Sequence, residues 1–168
     1  MAAATVAVLV ALVLQVSVFP QVAWSGVVPN LVLLVVVAAA LVRGPQFAMV
    51  LGFGAGVLID FSPPADHVAG RWALALVVVG YVAGLVRVED QPTGPTRGTT
   101  LPIVAACSFV GTSVFALTGL LLRDPVVAVP DLLLVIVLAV AWDLLLSILV
   151  LPLVMGMFRR LEPGRALA

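Results

Sequence analysis

The sequence predicts an all-α integral membrane protein: a bundle of about six transmembrane helices forming one membrane-embedded domain over residues 1–168. Three observations carry that expectation. The chain is 64% hydrophobic and only 10% charged, with a mean hydropathy of +1.31, so it lacks the polar residues a water-exposed surface needs. Its apolar runs are too long and too numerous for one buried core, and each is closed by Pro, Gly or Arg. The arginines also fall unevenly between the runs.

The first span covers about 3–19 and ends at Pro20. It has no basic segment before it and no small-x-small site after it, so it reads as a retained helix and not as a cleaved leader. The second, about 30–42, is opened by Pro29 and closed by Arg43-Gly44-Pro45. The third, about 46–60, is stopped by Ser62-Pro63-Pro64. The fourth is about 72–86, the fifth about 101–122 and the sixth about 132–158. Spans two to four are short. Fifteen residues rise about 23 Å, less than a hydrocarbon core of about 30 Å. They need shielding neighbours or a thinned bilayer, or they enter only partway.

With the amino terminus inside, the inner segments carry Arg43, Arg87, Arg97, Arg159, Arg160 and Arg165, against Arg71 and Arg123 outside. This bias places both termini in the cytoplasm. Asp60, Asp66, Asp124 and Asp131 then gather on the outer side, and residues 87–100 form the one hydrophilic loop. Trp24 and Trp72 stand at span edges, where interfacial anchoring is their ordinary role. With 8 basic and 8 acidic residues there is no basic surface for nucleic acid.

Gly52, Gly56 and Asp60 recur at four-residue spacing, which aligns them on one helix face. Gly80 and Gly84 repeat the device on the fourth span. Small residues so spaced let helices approach to backbone contact in lipid. The two ridges either pack on each other or leave one open to a partner's helix, in a groove that Gly111, Thr112, Ser113 and Gly119 would widen.

The intramembrane polar residues are Gln15, Asn30, Asp143 and Ser147. Asp143, beside Trp142 and one turn before Ser147, is the sharpest oddity, because an ionised acid at that depth is costly. It reads either as a proton or cation site or as a hydrogen-bonded acid turned toward Gln15, Ser17 or Thr112. Asp60 is expected at the outer surface with Arg71 as its partner. His67 with Asp66 and Asp60 makes a poor zinc site, and no metal is expected. Cys107 reads as a small buried hydrophobe. No Ser-His pair within a span, HExxH, GxSxG or phosphate loop with Lys is present. Neither an enzyme nor a cofactor is expected.

Several stretches resemble the MreD family, small membrane proteins of the bacterial rod-shape system. They are Pro29-Asn30-Leu31-Val32-Leu33-Leu34, Arg43-Gly44-Pro45, the Gly52 to Asp60 ridge, Gly80-Tyr81-Val82-Ala83-Gly84, and the end from Leu151-Pro152-Leu153 to Arg159-Arg160-Leu161. Asn30 departs from the family, which often has an acid after the proline, and Ser62-Pro63-Pro64 and His67 make the next loop untypical. The resemblance implies a non-catalytic, multi-pass protein of the bacterial cytoplasmic membrane, with a fold like the substrate-binding subunits of energy-coupling-factor transporters. It implies work with MreC, which has one transmembrane helix, and with the MreB filament, RodA and a penicillin-binding transpeptidase. On that reading Gly52, Gly56, Asp60, Gly80 and Gly84 form or shape the groove for the MreC helix. The competing expectation is a small-molecule-binding transporter subunit using Asp143 and Trp142.

Overall fold

The computed structural model describes residues 2–24, 26–63, 68–86, 97–123 and 132–160. Among them are six α-helices and no strand: α1 (Ala2–Ser17), α2 (Leu31–Arg43), α3 (Pro45–Asp60), α4 (Arg71–Leu85), α5 (Arg97–Leu121) and α6 (Leu132–Arg160). A short 3₁₀ turn, Phe19–Val22, follows α1, so the first helix stops before the Phe19 expected of it. The loop residues Asp66, His67, Asp124 and Asp131 lie outside the described residues.

The organising element is α2. Each of its residues from 31 to 42, all Leu, Val or Ala, is buried, and the helix has no polar stripe to break that packing. The other five helices surround it, and all of them touch it. Around this hub α3 packs most extensively on α4, α4 on α5, and α5 on α6, whereas α1 rests chiefly on α2 with light contact to α3 and α6. Asn30 meets Asp143 at the start of α2, and Phe47, just past its end, meets Phe158. Therefore α2 and α6 run in the same direction.

The reversal from α2 to α3 takes a single residue. Gly44 sits at φ +87°, a left-handed conformation open to glycine, and donates its N–H to the Ala40 carbonyl at 2.9 Å. Pro45 then starts α3, where its missing N–H costs nothing. The sequence Arg43-Gly44-Pro45 thus stops one helix and starts the next.

The ridges of α3 and α4 close on each other. A Cβ built on Gly52 would stand 2.5 Å from the Leu76 carbonyl oxygen, and one on Gly80 would stand 2.8 Å from the Ala48 backbone. At Gly56 it would meet the backbone of Ala73, and at Gly84 it would meet Pro45. Of the two arrangements the spacing allows, the ridges here pack on each other. The chain's own helices fill both ridges, because two adjacent helices with matched small residues gain close packing without any partner.

Helix length separates two helices from four. The stretch Gly98–Leu121 of α5 and the whole of α6 are long and apolar enough to cross a membrane. The others have 13 to 16 residues, or about 20–24 Å of rise.

Candidate functional site

A helix that begins inside packed protein leaves its first N–H groups without water, and each needs an acceptor from elsewhere. Three side chains meet that need at the start of α2. Asp143 Oδ1, from α6, accepts the backbone N–H of Asn30 at 2.7 Å. Asn30 Oδ1 accepts the N–H of Leu33 at 2.9 Å, the ordinary N-cap bond. Gln15 Oε1, from α1, accepts the N–H of Val32 at 3.2 Å. The second oxygen of Asp143 accepts the hydroxyl of Ser108, on α5, at 2.6 Å. One buried carboxylate therefore ties together α2, α5 and α6, while Gln15 ties in α1.

Asp143 is 1% exposed and Ser108 is fully buried. Of the four expected intramembrane polar residues, the cluster brings together Gln15, Asn30 and Asp143. Ser147 stays out of it, giving its hydroxyl to the Leu144 carbonyl of its own helix at 2.7 Å. Ser17 is exposed and Thr112 half-buried, and neither takes the place that Ser108 holds. Trp142 is half-buried.

A second carboxylate does similar work at the other end of α3. Asp60 is 2% exposed, which corrects the expectation that it lies at the surface. Its oxygens accept the N–H groups of Gly70 at 2.8 Å, Trp72 at 3.1 Å and Ala73 at 3.2 Å. It thereby caps α4, a helix whose own N-cap position, Gly70, has no side chain to offer. Asp60 thus joins α3 to α4 one turn beyond Gly56, whose own neighbour across the ridge is Ala73.

Arg71, also buried, gives Nε and Nη2 to the Phe115 carbonyl at 3.2 and 2.7 Å. Its guanidinium lies 3.9 Å from the centroid of the Phe115 ring. Trp72 stacks on the same ring with centroids 4.4 Å apart. Arg71 and Trp72 thereby fasten α4 to α5, and Trp72 serves as a packing residue in addition to any interfacial role.

Apart from Ser147, which bonds within its own helix, each buried polar group described above supports a helix end or an interhelical contact. Around them the exterior is apolar: Val6, Val13, Val50, Phe53, Leu133 and Leu153 are all more than half exposed. No family model matches the chain, and searches of curated proteins and of solved structures likewise give no match.

Proposed function

We propose that this chain is a non-catalytic, multi-pass scaffold of the bacterial cytoplasmic membrane. In this reading it forms a six-span bundle with both termini inside and acts by helix contact with a single-helix partner of the MreC type. Its output passes through that partner, directly or indirectly, to MreB, RodA and a penicillin-binding transpeptidase in cell elongation.

The observation that carries the reading is the division of labour between inside and outside. Carboxylates and amides are spent on holding helices together, and the outward surface offers apolar side chains almost alone. A body of that kind belongs in lipid, with short helices shielded by longer ones. The ends of the bundle support the orientation. Arg43, Arg159 and Arg160 lie at the end where Phe47 meets Phe158, whereas Arg71 lies at the Phe115 end, where α5 runs on to Arg123. Because the glycine ridges are filled from within, a partner helix meets the exposed apolar faces and not Gly52 or Gly80.

The transporter-subunit reading called for a ligand at Asp143 and Trp142. A ligand there would have to displace Asn30 and Ser108 from the carboxylate, which weighs against it.

The test is affinity purification in mild detergent from cells expressing the chain together with a single-helix protein of the MreC type. Recovery of both in a fixed ratio supports the proposal. Recovery of the chain alone, in a folded state, counts against it.

A further inference from the structure

The bundle has a short flank and a long one. Among the described helices, α3 packs only on α1, α2 and α4, which have 13 to 16 residues. It meets a longer helix solely where the Phe47 ring touches that of Phe158. Helices α1, α3 and α4 thus stand side by side around one flank of α2, and α5 and α6 close the other. The long helices shield α2 but not α3. Along the short flank large apolar side chains face outward: Val10, Val13, Val50, Phe53, Leu58 and Leu74 are exposed.

That apolar surface is too low for an ordinary bilayer. The 16 residues of α3 rise about 24 Å, against about 30 Å for a hydrocarbon core and about 43 Å for the 29 residues of α6. Gln46 is exposed at one end of α3, and helical form is lost from Phe61 onward at the other. Tilting does not make up the difference, because a tilted helix covers less of the membrane normal. Sinking the Asp60 end of α3 into the hydrocarbon does not either. Residues 61–63 and 68–70 form no helix and are largely exposed, and irregular backbone facing lipid is not tolerated at that depth. The remaining adjustment is in the lipid, whose surface is drawn in toward the helix ends. Tyr81, exposed one turn before α4 ends, stands where such an interface would lie.

We infer that the flank of α1, α3 and α4 holds the bilayer thin beside it and gathers phospholipids with shorter acyl chains than those beside α5 and α6. This rests on the membrane reading above and is independent of the partner helix. Chain length is what the flank selects, whatever the headgroup.

The experiment places the full chain, in a Cys107→Ala background, in dioleoyl phosphatidylcholine vesicles. One fluorescent label is attached at Phe53→Cys on α3 or at Leu149→Cys on α6, both exposed positions near mid-height of the bundle. The quenchers are brominated phosphatidylcholines made from the shorter dimyristoleoyl and the longer dierucoyl lipid. At Phe53 the shorter quencher should be favoured over the longer by about threefold, as a mismatch of several Å implies. At Leu149 that preference should vanish or reverse. Val50→Cys and Leu153→Cys, also exposed, repeat the measurement should a first variant fail to insert. Equal quenching by the two lipids at the α3 positions would overturn the inference. So would the same preference on α3 and α6, since it would then belong to the whole chain and not to one flank. Absence of quenching everywhere, with release of the chain from membranes by alkaline carbonate, would sink the membrane reading itself. Quenching without selectivity in a chain that stays inserted sinks this inference alone.

Discussion

Asp143 and Asn30 stand 113 residues apart in sequence and meet through a 2.7 Å bond from the Asn30 backbone N–H to Oδ1. That single contact fixes where the central helix begins, and the hydroxyl of Ser108 holds the same carboxylate from the opposite side. Asp143 thus links α2, α5 and α6 through two donors that have no water to turn to.

Replacing Asp143 by Ala removes both acceptors and leaves a buried N–H and a buried O–H unmet. The expected loss is about 2–3 kcal/mol, read as a lower melting temperature of the purified chain in detergent. Asp143→Asn should cost well under half of that. Its amide oxygen still accepts from Asn30, and the Ser108 hydroxyl can turn to accept from the amide. Equal losses in the two variants would show that charge and not hydrogen bonding matters here.

Gly56 and Gly54 lie on one helix two residues apart and should respond oppositely. A methyl on Gly56 collides with the backbone of Ala73, whereas one on Gly54 meets nothing within 4 Å. Gly56→Ala should destabilise by about 1–3 kcal/mol, the usual range for overpacking. Gly54→Ala should be neutral or stabilising by up to about 1 kcal/mol through helix propensity. Thermal unfolding of the two variants side by side decides the matter.

Asp60→Ala should cost about 1–2 kcal/mol, since it strips the cap from α4. Hydrogen exchange localises the effect: the amides of Gly70, Trp72 and Ala73 should lose protection, while those of Asn30 and Val32 keep theirs. Uniform loss across both helix starts would contradict two independent caps.

Cys107 is the sole cysteine and is 1% exposed, one residue before Ser108. A maleimide should label it only after unfolding. Labelling should quicken in Asp143→Ala, because the α5 contact next to it is loosened. Rapid labelling of the unaltered chain would place Cys107 outside the core.

Much of this architecture is legible in the residues. The runs 31–42 and 132–141 both lack polar side chains, yet only the first is buried throughout, so helices are legible and the hub among them is not. Arg43-Gly44-Pro45 declares both a stop and a start. The glycine spacing on α3 and α4 declares close helix contact, but spacing is silent on whose helix makes it, so self-packing and a foreign partner look alike. Asp60 precedes a Ser-Pro-Pro break, which suggests a surface position; its burial depends on α4 folding back onto it. Ser108 gives no signal at all, being one hydroxyl in an apolar run whose acceptor lies on another helix. Neither residue's partner is local, and only the assembled bundle reveals it.

The most direct measurement co-expresses the chain, as wild type and as Asp143→Asn, with a single-helix protein of the MreC type, and weighs the complex recovered from membranes. The account predicts a complex of the same fixed ratio in both cases, because the acid serves the fold and the partner meets the apolar exterior. A stable, membrane-bound Asp143→Asn chain that has lost the partner would contradict it, and so would a wild-type chain that elutes alone.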